Sequence, residues 1–433
     1  MILSVWRNED NNMRIRDWDT NLKVRLFGEA LMNITFWMFF PFLTIYFAEA
    51  FGKGKAGFML ILSQAFSVFA NLLGGYCADR FGRKRMMVLS ALGQGICFLL
   101  FALANSPWIG FIAFAFVGFF SSIYWPASQA MVADVVNEKD RSNVFAVFYT
   151  SINIAVVIGP LLGAIFYTKY FSELLFICGI ICVGLALVLA KWTRETVPVH
   201  KVSTRNDDKW YTFLLNQVKD YGVIFKDKVF LLFIIAGVLA SQTFMQLDLL
   251  FPVYIKDVVH NQTLLAFGDW SFKVSGEQAY GIILAFNGLL VALLTVGVTK
   301  WMTKYVERNV FVLSSVMYAI SVLIFGQTSW MWGLLFAMLL FTFGELMVAG
   351  LQQSFISRIS PEHMRGQYFA AASLRYTLGK TIAPITIPIT VWVGYEWTFF
   401  ILCLLALASS SLYWLMFAVL DKQKNSSMKG SSI

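Results

Sequence analysis

Four charged side chains stand in stretches that otherwise offer them no water. Asp248 lies in Gln246-Leu247-Asp248-Leu249-Leu250-Phe251-Pro252, Glu345 in Phe343-Gly344-Glu345-Leu346, and Arg375 and Lys380 in the apolar run after that. A charge at the centre of an apolar span costs about 2.5–3.5 kcal/mol to insert, so it faces a partner or a watery cavity. A carboxylate so placed can take up and release a proton or hold a cation. The plainer reading makes Glu345 a structural ion pair with Lys380 or Arg375, and Asp248 an interfacial carboxylate wetted from outside. Pro252 weakens the helix just after Asp248 and predicts a bent or broken span beside a cavity. Arg375 and Lys380 are five residues apart and point about 140° apart on a helix. Lys380 is therefore predicted to line the cavity, and Arg375 to pair with a carboxylate or carbonyl unless it snorkels to the interface. Arg25 and Glu29, spaced i,i+4, read as a local ion pair.

These residues need a membrane to position them. Of 433 residues, 58% are apolar and 14% charged, against about 25% charged in a soluble domain. Apolar runs near 26–48, 56–78, 86–105, 108–133, 143–168, 173–191, 230–255, 278–300, 310–328, 331–356, 367–393 and 397–419 predict an all-α membrane protein of twelve spans. The net charge of +9 is gathered in alternate loops. Arg7 to Arg25, Arg80 to Arg85, Lys139, Arg141, Lys191 to Lys228, Lys300 to Arg308, Arg358, Arg365 and the tail lysines share one face, whereas the other has Lys53, Lys55, Lys169, Lys256 and Lys273. The positive-inside rule then puts both termini in the cytoplasm of a plasma or inner membrane, and this distribution argues against a nucleic-acid partner. The first residues are polar and no cleavable signal peptide is read. Cys77, Cys97, Cys178, Cys182 and Cys403 fall within or at the ends of spans, which favours small packing residues over a disulfide framework or a zinc site.

An internal repeat divides the chain. Laying Glu138-Lys139-Asp140-Arg141 on Glu362-His363-Met364-Arg365 also brings Pro160 onto Pro384, Ser121 onto Glu345 and Val156 onto Lys380. The first half thus packs without the charges of the second, so folding alone does not demand them. The expected organisation is a six-helix bundle over 1–192, a polar connector over 193–227 with Asn206-Asp207-Asp208-Lys209 at its centre, a second bundle over 228–420 and a tail over 421–433.

Between the second and third spans runs Gly75-Tyr76-Cys77-Ala78-Asp79-Arg80-Phe81-Gly82-Arg83-Lys84, which fills every fixed position of the pattern G-x-x-x-D-R-x-G-R-K. It resembles the loop signature of the major facilitator superfamily of secondary transporters. That resemblance implies two bundles that rock about a site near the bilayer midplane. It also implies a cytoplasmic latch in which Asp79 faces the eleventh span and Arg83 reaches Asp134. Ala155 to Ala164, with Gly159, Pro160 and Gly163, is similar to the fifth-span signature of proton-coupled drug antiporters, with alanines at its two outer glycines. The strings around Asp248 and Glu345 look like those of LmrP-type multidrug exporters. Phe114 and Phe148 stand where that branch carries a basic and an acidic residue, which shifts proton coupling onto Asp248 and Glu345. The resemblance implies a cavity faced by Trp37, Tyr124, Trp125, Gln246, Asn287 and Gln352, where aromatic faces would hold cationic ligands through contacts of about 0.5–2 kcal/mol. The expected function is export of small hydrophobic or cationic compounds against protons, by a monomer in the lipid bilayer, driven by the proton gradient without cofactor, metal or catalytic residue. Carriage of an amphipathic lipid or a specific metabolite, and a transporter-like sensor, are the alternatives.

Overall fold

The computed structural model describes residues 15–196, 222, 227–267, 270–349, 351–361 and 365–430. Arg7, Arg14, the connector centre at 206–209 and the repeat residues 362–364 lie outside them.

Lipid offers backbone groups no hydrogen bonds, so apolar runs of this length close their own bonds as helices. In chain order these are α1 (Thr20–Phe39), α2 (Leu43–Phe51), α3 (Lys53–Phe81), α4 (Arg83–Ala102), α5 (Pro107–Val135), α6 (Glu138–Trp192), α7 (Lys228–Phe244), α8 (Leu250–Val258), α9 (Gly276–Met302), α10 (Glu307–Gln327), α11 (Met331–Ala349), α12 (Leu351–Ile359), α13 (Arg365–Ile382) and α14 (Thr386–Gly430). Eleven helical stretches among the described residues are long and apolar enough to cross a membrane. One of them, Ala371–Gln423, has 53 residues and turns at Gly394 (φ 79°). At 1.5 Å per residue it is far longer than a bilayer core of about 30 Å, so it supplies two spans and the total is twelve. α6 likewise holds two spans, with non-helical backbone at Tyr170. Helix starts carry readable caps. Asp227 accepts from the amides of Val229 and Phe230, and Ser275 with Gln278 forms a capping box.

The chain forms two compact units, one of residues 1–39 and 63–214, the other of 40–62 and 215–433. The first unit packs through small residues, with Ala78, Ala91, Ala127 and Ala186 buried beside Met87, Met131 and Leu189, which permits close helix approach. Gly159 shows why: a Cβ there would lie 2.5 Å from Trp37 Cβ and 3.1 Å from the Ile34 carbonyl. The second unit packs around aromatic rings, with Phe230, Phe233, Phe311, Phe355, Tyr413 and Phe417 in one cluster.

Within the second unit the hairpin 40–62 is tied to α8 and α14. Lys53 Nζ lies 2.5 Å from Asp257 Oδ2 and donates to Tyr395 (2.9 Å), and Lys256 pairs with Glu49. The segment 257–278 adds two antiparallel strands to the helical architecture, β1 (Gln262–Phe267) and β2 (Trp270–Val274), with a register shift between Thr263 and Leu265. Gln262 holds this hairpin down by donating to the Ser329 carbonyl (2.6 Å) and accepting from the Met331 amide (3.0 Å). The alternation in Gln262-Thr263-Leu264-Leu265 is too brief to announce a strand.

The seventh span breaks at Asp248, four residues before Pro252, as expected of a proline that leaves the carbonyl of residue i−4 without its helical donor. A 3-10 turn at Met245–Leu247 ends α7, Asp248 and Leu249 bridge the gap, and Pro252 sits in the first turn of α8. The eleventh span has a matching 3-10 turn at Ala383–Ile385.

Candidate functional site

The two broken spans of the second unit meet at Gln246. Its Nε2 donates to the carbonyls of Gln242 (2.8 Å) and Ala383 (3.3 Å), while Thr386 Oγ1 donates to its Oε1 (2.7 Å). Gln246 is fully buried, so it stitches two helix breaks together and does not face an open cavity. Gly379 lets the helices close: a Cβ there would stand 3.0 Å from the Gln242 amide nitrogen and the Val238 carbonyl.

This crossing fixes Asp248 at the break. Its backbone carbonyl accepts from Thr44 Oγ1 (3.1 Å), and the preceding carbonyl, of Leu247, accepts from Tyr280 Oη (3.1 Å). The carboxylate is less well served, for Oδ1 is buried with no hydrogen-bond partner. Lys380, half-buried one turn before the second break, interacts with Asp248 electrostatically. Among the described residues no basic group stands within ion-pair distance of either Asp248 or Glu345.

Glu345 projects from α11. Its Oε2 accepts from Asn287 Nδ2 (3.3 Å), a nitrogen that also donates to Thr342 Oγ1 (2.9 Å). The carboxylate borders a cavity of about 170 Å³ whose polar wall includes Ser241, Ser314, Ser315, Tyr318, Gln352 and Tyr376. Tyr376 interacts electrostatically with both Asp248 and Glu345, and the two carboxylates with each other. The serines and tyrosines of this wall escape a search for charges, because a lone hydroxyl in an apolar run looks like any helix-packing residue. Lys380 does not line this cavity and acts electrostatically on Asp248.

Arg375 settles among π-faces and carbonyls. Its Nε donates to the Ala372 carbonyl (3.1 Å), its guanidinium lies 4.7 Å from the Phe233 ring centroid, and it bonds Tyr413. Gly237 makes the room, for a Cβ there would come within 2.7 Å of Arg375 Cδ.

In the first unit the local pair of Arg25 and Glu29 is the centre of a larger network. Arg25 Nε donates to Glu29 Oε1 (2.9 Å) and Nη2 to Oε2 (3.2 Å), with side-chain exposures of 1% and 7%. Tyr124 (2.9 Å) and Ser128 (2.8 Å) also donate to Oε1. The guanidinium lies 4.6 Å from the ring centroid of Phe148, the residue at the vacant acidic position. Tyr124 is therefore committed to Glu29, while Trp125 is exposed. At the loop, Asp79 Oδ1 lies 2.5 Å from Arg83 Nη1, and Arg83 Nε lies 3.3 Å from Asp134 Oδ2. Arg80 pairs with the Tyr76 hydroxyl. Glu195, at the start of the connector, accepts from the Arg83 amide (2.7 Å) and so caps α4, while Lys84 Nζ donates to the Thr193 carbonyl (2.7 Å). Glu195 has no counterpart in the loop pattern and was not legible there. Gly82 takes φ 105°, the left-handed region that glycine tolerates, whereas nothing lies within 4 Å of a Cβ on Gly75.

Twelve spans in two units, with two carboxylates that have no ion-pair partner among the described residues, define a multi-pass membrane protein. The family model described as Major Facilitator Superfamily matches residues 26–272 and 270–431, and the chain belongs to that superfamily. It is 58% identical over 419 residues to a Na(+), Li(+), K(+)/H(+) antiporter of Planococcus maritimus, covering 95% of this chain and 99% of that one. It is 23% identical to the multidrug resistance protein MdtH of Photorhabdus laumondii, over 82% of this chain and 83% of that one. The fold is similar to the crystal structure of a POT family transporter in complex with 5-aminolevulinic acid, with a TM-score of 0.76, 16% identity, and coverage of 95% and 98%.

Proposed function

We propose that this protein exchanges monovalent alkali cations for protons across the cell membrane, with Asp248 and Glu345 as the ionisable groups that couple the two flows. The observation that carries this reading is the pair of carboxylates in the second unit without an ion-pair partner among the described residues, one beside an unbonded buried oxygen and the other on a hydroxyl-lined cavity. Groups that served folding alone would be neutralised, as Arg25 and Glu29 are. The similarity to a named cation/proton antiporter over almost its full length supports the choice of cation. So does cavity size, since about 170 Å³ is below the roughly 300–1,000 Å³ that drug-sized ligands occupy.

Driving force is sufficient. One pH unit is worth about 1.4 kcal/mol, so one-for-one exchange sustains a cation gradient of about tenfold per unit. Export of hydrophobic cations is the second reading, favoured by the likeness to MdtH and by the aromatic character of Phe244 and Tyr376 in the cavity wall. The loop charges support a cytoplasmic side for both termini. The contacts of Asp79, Arg83 and Asp134 at the cytoplasmic loop serve as the latch that holds one arrangement of the unit.

Everted vesicles from cells lacking their own antiporters test the function. Addition of Na+, Li+ or K+ to vesicles with a respiration-generated pH gradient should dissipate it, and Asp248→Asn or Glu345→Gln should abolish that response while the protein still inserts. Absence of a response to all three cations between pH 6 and 9, with dye efflux intact, would replace cation exchange by drug export.

A further inference from the structure

We infer that the two carboxylates divide the work: Glu345 and the hydroxyls around it seat the alkali cation, and Asp248 carries the proton. The inference rests on the antiport reading above and assigns its two ligands to separate places within the second unit. An alkali cation that sheds water needs several oxygen ligands, mostly neutral, around one negative charge, in the way hard cations generally prefer oxygen donors. The Glu345 cavity supplies this set. Ser314 commits its proton to the Gly344 carbonyl (2.6 Å), so its remaining capacity is to accept. Ser241 and Tyr318 border the same space, and Gln352 adds an amide oxygen. The space of about 170 Å³ admits a cation with a partial hydration shell. Among the described residues no cluster of three histidine, cysteine, aspartate or glutamate side chains occurs, and a single carboxylate among hydroxyls suits a monovalent ion better than a divalent one.

Asp248 offers no such shell. Its neighbours in sequence, Leu247, Leu249 and Leu250, are buried, and the nearby hydroxyls of Thr44 and Tyr280 are spent on backbone carbonyls. A bare cation there would find one carboxylate and little else. A proton needs only the unbonded Oδ1. The charged and titratable groups that act on Asp248 are Lys380 from α13, Tyr280 from α9, Tyr376 from α13 and Glu345 from α11; those on Glu345 are Tyr318 from α10, Tyr376 and Asp248. Lys380 thus stands beside the proton site and away from the cation cavity. Repulsion of an incoming Na+ by its ammonium adds to the separation. The exchange balances as one proton leaving Asp248 to water for each cation entering at Glu345, with no bond made or broken otherwise.

Equilibrium binding of 22Na+ to the purified full-length protein in nanodiscs at pH 8.5 tests the division. Asp248→Asn should bind Na+ within about twofold of wild type at this pH, but should no longer exchange it for protons in vesicles. Glu345→Gln should lose at least tenfold in affinity. Ser241→Ala, which removes one wall oxygen and keeps the fold, should raise the KM for Na+ in exchange three- to tenfold without changing the pH at which exchange is half-maximal. Loss of Na+ binding in Asp248→Asn, its retention in Glu345→Gln, or an unchanged KM in Ser241→Ala would overturn the assignment. Wild type that exchanges no cation in vesicles would instead remove the antiport reading itself, so the two failures are told apart.

Discussion

The Arg25–Glu29 pair offers a sharp energetic test because both partners are almost completely enclosed. Glu29→Gln keeps an oxygen that can accept from Tyr124 and Ser128 but removes the one carboxylate that, among the described residues, compensates Arg25. What remains for the guanidinium is the Phe148 face, worth about 0.5–2 kcal/mol, and the Ser128 hydroxyl. Arg25 Nη1 is unbonded even in the wild type, so no spare acceptor waits to take over. Breaking one side of a buried pair costs about 3–5 kcal/mol, and the retained hydrogen bonds place Glu29→Gln near the lower end, about 3 kcal/mol. For a unit of this size each kcal/mol moves the melting temperature by about 2–4 °C, so the expected drop is about 6–12 °C. Arg25→Met combined with Glu29→Leu removes both charges. It leaves only the Tyr124 and Ser128 hydroxyls without their acceptor, a loss of about 1–2 kcal/mol. Thermal unfolding of the detergent-solubilised protein, followed by tryptophan fluorescence, measures all three variants. A double variant that melts lower than Glu29→Gln, or a Glu29→Gln shift under 2 °C, would refute the view that mutual neutralisation is what this pair contributes.

Three further outcomes follow from particular contacts. Gly82→Ala should lower stability by about 2–3 kcal/mol, since alanine resists φ 105° and its Cβ would come within 2.2 Å of Glu195 Oε2, whereas Gly75→Ala, with open space and helical backbone, should be neutral or stabilising by up to about 1 kcal/mol; equal melting temperatures for the two would contradict this. Gln246→Leu removes the bonds from Gln246 to the Ala383 carbonyl and the Thr386 hydroxyl, which keep their bond to each other (3.0 Å), and should destabilise by about 1–2 kcal/mol, read as a lower melting temperature. Asp79→Asn breaks one of the two carboxylate contacts of Arg83 and leaves Asp134; turnover should fall about three- to tenfold with KM for the cation unchanged, and a KM effect without a turnover effect would remove the latch.

The helical spans were legible because lipid turns hydropathy into secondary structure with little ambiguity, and the caps at Asp227 and Ser275 follow from residue type. The break in the seventh span was legible too, since Pro252 denies the Asp248 carbonyl its helical donor. What holds the break was not, because Gln246 and Tyr280 find partners that are distant in sequence. The ion pairs of the hairpin 40–62 with residues 256 and 257 are equally remote and equally invisible. For the candidate site, the charges announced themselves because charge in an apolar span is rare. The cavity wall did not, since Ser241, Ser314 and Tyr318 acquire meaning only when two helices bring them to Glu345 on a third.

The repeat makes the contrast between the halves instructive. The same shift that brings Pro160 onto Pro384 sets Ser121 against Glu345, Val156 against Lys380 and Val24 against Asp248, so every charge at the candidate site is absent from the equivalent place in the first half. The first half has a buried acid and base of its own, but at Arg25 and Glu29 they bond each other directly. In the second half Asp248 and Lys380 act on each other across a gap, and Glu345 has only an amide. A closed pair is stable in one state and has no reason to change it. Charges held apart at a helix break are each available to a mobile ion of opposite sign, and occupancy by that ion alters the balance of the remainder. Two bundles that share this repeat can thus differ in role through a handful of side chains, one kept electrically quiet and the other left responsive to what binds.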